Sequence, residues 1–172
     1  MPGPRAVVLV EGASDAAAIE TLARRRGEPP DDVKIVALHG YTNLPSALRT
    51  LGPAAPQRIA VLCDAGAEAY ARRALGPAGT CRVCHADLED ELIRALGADR
   101  VRDVVEAQGE LAGLRALERQ PAQRDRTPEQ LLHRFLGVRS GRKARYGGAL
   151  AAALDLDALP DPLRLVLDDV GL

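Results

Sequence analysis

Four short apolar runs mark the first half of the chain: Ala6 to Val10, Val33 to Leu38, Ile59 to Cys63, and Cys81 to His85. The first three are continuous rather than alternating, the pattern of strands covered on both faces. Arg82 interrupts the fourth and marks it as an edge strand. Between these runs the apolar positions shift to helical spacing. Ser14 suits the N-cap of a helix reaching about Arg26, with Gly27 to end it. Asn43 is expected to cap a second helix, with Pro45 in its first turn and Gly52 beyond it. A third helix is expected from about Ala65 to Leu75, before Gly76-Pro77, and a fourth from Asp87 to near Gly97. Alternation of this kind predicts a parallel sheet with right-handed crossovers.

From about Asp99 the pattern is helical only. Thr127-Pro128-Glu129-Gln130 reads as a capping box with proline at the first helical position. Ser140 is expected to cap a helix reaching about Leu154, and Pro160 to Pro162 sets off a last short one. The expected architecture is α/β: a sheet of about four strands flanked by helices, then a C-terminal helical extension. The division falls at residues 1–108 and 109–172, packed as one unit.

Composition narrows the function classes. A net charge of -1 excludes a generally basic nucleic-acid coat, so any attraction for phosphate must be local. Tyr41, Tyr70, Tyr146 and Phe135 are the only aromatics, too few for a base-stacking platform. No signal peptide is evident and no apolar run approaches the ~20 residues that span a bilayer, so the chain is expected to be soluble and cytoplasmic. In that setting Cys63, Cys81 and Cys84 need not pair. Cys81-Arg82-Val83-Cys84-His85 matches a c-type haem attachment string, but that chemistry requires export. A lone Cys-x-x-Cys also supplies too few ligands for structural zinc, which favours small buried strand residues.

Function in an open parallel sheet gathers beyond the carboxyl ends of the strands. Here Glu11-Gly12-Ala13-Ser14-Asp15, His39-Gly40, Asp64, and Asp87-Leu88-Glu89 follow the four runs in turn. Acids thus recur on one edge after three of four strands. Clustered carboxylates repel and resist desolvation, so their convergence points to a cation, and hard oxygen donors favour magnesium, manganese or calcium over zinc. Asp15 shares a helix face with Ile19 and Leu22, and Glu89 falls within the stripe formed by Leu88, Leu92, Ile93 and Leu96. Asp90, Glu91 and Arg94 are expected to project away. Complementing a helix dipole accounts for Asp90 and Glu91, but not for Glu11 or the inward aim of Glu89. Glu68, four residues after Asp64, fits a solvated helix face as well as it fits a ligand.

Val8-Leu9-Val10-Glu11-Gly12 followed by Asp15 resembles the opening motif of Toprim domains, with Gly40 and Asp64 at the positions of their second and third motifs. Leu88-Glu89-Asp90-Glu91-Leu92 and Gly141-Arg142-Lys143-Ala144-Arg145 draw the resemblance toward the nuclease domain of the OLD (overcoming lysogenization defect) family. The resemblance implies two-metal phosphodiester cleavage of nucleic acid, DNA before RNA, with magnesium or manganese as cofactor. It places Glu11, Asp15, Asp64 and Glu89 on metal, gives Glu11 and Lys143 catalytic roles, and has Lys143 steady transition-state charge. Gly66 stands where Toprim domains usually carry a second aspartate, which implies either that one metal is weakly held or that Glu68 or Asp87 compensates. OLD proteins couple this domain to an ATPase. This chain has no Gly-x-x-x-x-Gly-Lys loop and no ATP site, so an ATPase would be a separate partner.

Arg134, Arg139, Arg142, Lys143 and Arg145 fall in a stretch without acids, which suits either nucleic-acid phosphate contact or a solvated helix face. Two other functions remain open: a Toprim-like binding module weakened in catalysis by Gly66, and a receiver domain phosphorylated on Asp64. The receiver would need adjacent acids after the first strand and a later strand ending in lysine.

Overall fold

The four apolar runs form one parallel sheet in a computed structural model that describes residues 4–27, 32–52, 56–137 and 141–172. Its strands are β1 (Ala6–Val10), β2 (Val33–Ala37), β3 (Arg58–Asp64) and β4 (Thr80–Cys84), in the order β2-β1-β3-β4. The sequence explains why β1 and β3 are central. Their residues alternate between two apolar layers: Ala6, Val8, Val10, Ala60 and Leu62 on one side, and Val7, Leu9, Ile59, Val61 and Cys63 on the other. A strand buried on both faces has no room for a polar side chain, which is why the runs are continuous. At the β4 edge Arg82 grips Asp169 through two 2.7 Å hydrogen bonds.

The helices among the described residues are α1 (Ala13–Arg25), α2 (Leu44–Leu51), α3 (Glu68–Leu75), α4 (Leu88–Leu96), α5 (Ala98–Ala107), α6 (Leu111–Glu118), α7 (Pro128–Gly137), α8 (Arg142–Ala153) and α9 (Asp161–Val170). Leu44 of α2 and Ala71 and Leu75 of α3 cover one face. The larger core on the other face takes residues from α1 and α4 through to Leu172, so the C-terminal helices share it with the sheet. None of these helices is long and apolar enough to cross a membrane.

Capping matches expectation in part. Thr127 and Gln130 exchange side-chain-to-backbone bonds at 3.1 and 3.3 Å, completing the capping box of α7. Asp87 caps α4 by accepting from the Asp90 N–H at 2.8 Å. Ser14 does not cap α1. Gly12 holds that position and donates its N–H to Asp15 at 2.9 Å, which frees the Ser14 hydroxyl for other partners. The expected cap at Ser140 lies outside the described residues. Helix α8 packs directly on α1 because Gly147 has no side chain: a Cβ there would sit 2.4 Å from the Ser14 carbonyl oxygen. All three cysteines are free and buried. Cys63 and Cys81 have their sulfurs 3.6 Å apart, while Cys84 belongs to the opposite layer.

Candidate metal centre

A cavity of about 640 Å³ opens at the carboxyl edge of the sheet, and Glu11, Asp15, Asp64, Asp87, Glu89 and Lys143 all line it. Each reaches it by a different route. Glu11 and Asp64 sit at the ends of the two central strands, Asp15 is in the first turn of α1, and Asp87 and Glu89 open α4. Lys143 arrives from the start of α8, carried there by the close α1–α8 contact at Gly147.

The electrostatics are those of crowded, half-dried carboxylates. Burial raises the Glu11 carboxyl above its ordinary range, reinforced by the charge of Asp64 and opposed by Lys143. Burial likewise pushes Asp15 up to about 6, against the Gly12 N–H bond and with the help of the Glu89 charge. One oxygen of Asp64, Oδ1, is buried without a hydrogen-bond partner. Glu89 is only 6% exposed; it accepts from the Ser14 hydroxyl at 3.1 Å and faces the Lys143 ammonium at 3.5 Å. Lys143 itself is half-exposed, and its carbonyl takes a 3.1 Å bond from the same Ser14 hydroxyl. Among the described residues no three His, Cys, Asp or Glu side chains are already gathered closely enough to hold a metal ion. The donor set is nonetheless all hard oxygen, and the orphaned oxygen of Asp64 lacks the partner that a buried acceptor ordinarily has.

No protein-family model matches the chain, and no curated protein does. Solved structures do. The C-terminal region of the Burkholderia pseudomallei OLD protein superposes with a TM-score of 0.68 at 22% identity, over 97% of this chain and 96% of that one. The C-terminal region of the Xanthomonas campestris pv. campestris OLD protein, phased with platinum, gives 0.71 at 23% identity over 97% and 92%. The same region phased with mercury gives 0.68 at 25% identity over 97% and 94%. The fold is that of the OLD C-terminal region.

Within this OLD-type Toprim fold the outlying candidates divide. Gly66 is exposed in the turn after β3 and offers no carboxylate. Glu68 does not take its place, because it is bonded to Arg72 at 2.7 Å on the surface of α3. Asp87 lines the cavity but is held by His133 at 2.7 Å; burial would raise its pKa, yet the His133 bond, the Asp90 N–H and the charges of His133 and Lys143 together keep it low. His133, one α7 residue before Arg134, was not evident as a site residue, since only the packing of α7 on α4 brings it to Asp87. Ser14 was missed for a similar reason, having been read as a cap.

The basic stretch needs correction. Arg142 is not a phosphate contact: it is 7% exposed, donates to the Phe135 carbonyl at 2.7 Å, pairs with Glu110 at 2.6 Å and stacks over the Phe135 ring. Arg145 pairs with the same Glu110 and lies over Tyr146. The stretch lacks acids in sequence, but Glu110, at the N-terminal cap position of α6, supplies one in space. Arg134 is exposed on α7, and Arg139 lies outside the described residues. Glu91 was expected to project away from α4. It is instead buried, accepting the His85 N–H at 2.6 Å and pairing with Arg94 at 2.7 Å. The receiver reading fails on Lys143, which comes from a helix rather than from the end of a further strand.

Proposed function

We propose that this chain is a divalent-metal-dependent phosphodiesterase acting on nucleic acid, DNA in the first instance. The observation that carries it is the buried, unpartnered oxygen of Asp64 in a cavity shared with Glu11, Asp15 and Glu89. A carboxylate oxygen dried without a donor is costly unless a cation meets it. Glu11, Asp15, Asp64 and Glu89 would hold magnesium or manganese, which when bound supplies Lewis-acid charge to the phosphoryl oxygens.

The chain's own residues divide the remaining work. Glu89, fixed by the Ser14 hydroxyl, holds the Lys143 ammonium over the cavity. That ammonium is half-exposed and so is open to a substrate phosphate, where it meets charge developing in the transition state. Glu11, its carboxyl raised above its ordinary range by burial and the Asp64 charge, is poised to accept a proton at the strand edge. An ATPase acting with this domain, in the cytoplasm, belongs to the same proposal.

A second reading is a nucleic-acid or protein binding module with weakened catalysis. Its support is Gly66, combined with Glu68 and Asp87 each being engaged elsewhere. Nicking of supercoiled plasmid in magnesium or manganese separates the two. Cleavage by the parent that is lost on chelation and in Asp64→Asn and Glu89→Gln supports the nuclease; DNA binding without metal-dependent cleavage supports the module. Lys143→Ala is expected to cut the rate on the order of 100-fold, the scale of one lost transition-state donor.

A further inference from the structure

The residue after β2 has a backbone that its side chain disfavours. His39 adopts φ 55, the one non-glycine with positive φ among the described residues, where glycine serves at lower cost. The loop is also fixed in place. Leu38 donates its N–H to the Val10 carbonyl at 2.8 Å and Gly40 donates to the Glu11 carbonyl at 3.2 Å, so His39 is bracketed by two bonds to the strand that carries Glu11. Asn43, at the position before α2, reinforces the loop rather than capping that helix, donating its side-chain amide to the Leu38 carbonyl at 2.9 Å. His39 itself is exposed, lines the acidic cavity, and its imidazole makes no hydrogen bond or ion pair with any described residue. A left-handed histidine retained without a structural partner points to function.

Its position indicates which function. Lys143 and His39 are the only nitrogen-bearing side chains among the described residues lining the cavity; the rest of its polar side chains are carboxylates and the Ser14 hydroxyl. Lys143 enters on α8, with its carbonyl bonded to the Ser14 hydroxyl of α1 and its ammonium facing Glu89 of α4, whereas His39 enters on the loop after the edge strand β2. Two donors held by separate elements of one cavity suit neighbouring phosphates of one strand. We propose that His39 is a substrate-binding residue that hydrogen-bonds a nucleic-acid phosphate flanking the one at Lys143, which rests on the nuclease reading for the identity of the substrate.

Three variants test it. His39→Gly removes the imidazole and relieves the backbone, so its melting temperature should equal or exceed the parent's. Its affinity for a fluorescein-labelled oligodeoxynucleotide, measured by anisotropy in calcium, should fall by about tenfold, as for a lost hydrogen bond to a charged group. Where the parent cleaves, KM should rise by a similar factor with kcat nearly unchanged, the reverse of Lys143→Ala. His39→Asn, which tolerates the left-handed backbone and keeps a donor, should recover part of the affinity, and His39→Ala should not. A parent that binds but does not cleave defeats the nuclease reading and leaves His39 in its role. If His39→Gly binds as tightly as the parent, or if the parent does not bind the oligonucleotide, the proposal for His39 is wrong.

Discussion

Asp15 and His133 at this edge both hold their protons more tightly in the fold than in the unfolded chain, and that gives the metal-free protein a defined pH response. Asp15 is raised from 3.8 to about 6, mainly by burial, so the folded state holds its proton more tightly than the unfolded chain does. Its contribution is fully present below 3.8 and is lost as pH rises through 6. His133 is raised from 6.5, mainly by its bond to Asp87, so its contribution is present below 6.5 and lost as pH rises through the folded value. Melting in chelator should therefore weaken in two arms, the lower removed by Asp15→Asn and the upper by His133→Gln. A melting temperature flat from pH 4 to 8 in the parent would contradict both assignments. Arg142 makes a further residue-level claim. Because its guanidinium is buried between Phe135 and Glu110, Arg142→Ala should cost about 3 kcal/mol or more in chemical denaturation, the scale of a broken buried pair. Exposed Arg134→Ala should stay within ~0.5 kcal/mol. Equal, small losses in both would return Arg142 to the surface and to phosphate.

The packing of α8 on α1 is what turns a sheet edge into a site, and a methyl group tests it. Glycine in a helix interior usually costs ~1 kcal/mol relative to alanine. At Gly147 the added Cβ would meet the Ser14 carbonyl oxygen at 2.4 Å, so Gly147→Ala should destabilise the protein despite its better propensity. It should also lower cleavage, since Ser14 ties Glu89 and the Lys143 carbonyl together at that contact. A more stable, fully active Gly147→Ala would show that α8 does not need this close approach. Elements of this kind also mark how far the sequence could be read. Apolar runs bounded by Gly and Pro announced all four strands: burial on both faces left its signature in β1 and β3, Arg82 marked β4 as an edge, and β2, expected to be covered on both faces, is the other edge with Lys34 exposed. Glu11, Asp15, Asp64, Asp87, Glu89 and Lys143 were legible as candidates, since strand ends and helix starts converge by topology. Pairings across distant elements were not. Nothing in the local spacing tells that Glu110 neutralises Arg142 and Arg145, that His133 holds Asp87, or that Ser14 serves Glu89 rather than capping α1.

For the molecule as a whole, the acidic edge is a place where stability has been given up and where a ligand should restore it. Glu89 is buried at the start of a helix whose inward residues, Glu91 apart, are otherwise apolar, and its nearest counter-charge is a half-exposed lysine at 3.5 Å. A buried carboxylate so loosely paired does little for the fold on its own. Replacing it with leucine removes that desolvation cost, and the Ser14 hydroxyl keeps its bond to the Lys143 carbonyl. In chelator, Glu89→Leu should therefore melt no lower than the parent. A metal that binds the folded state and not the unfolded chain adds RT ln(1 + [L]/Kd), about 2.7 kcal/mol at a hundredfold excess over Kd. For a chain of this size that corresponds to a rise of roughly 5–10 °C. Manganese at millimolar concentration should thus raise the parent's melting temperature and leave Glu89→Leu unmoved, reversing their order of stability. Two results would break the link between the buried carboxylates and a metal: a parent insensitive to manganese, or a Glu89→Leu variant that gains as much from it. A Glu89→Leu variant that loses ~2 kcal/mol or more in chelator would instead make Glu89 part of the fold's own framework.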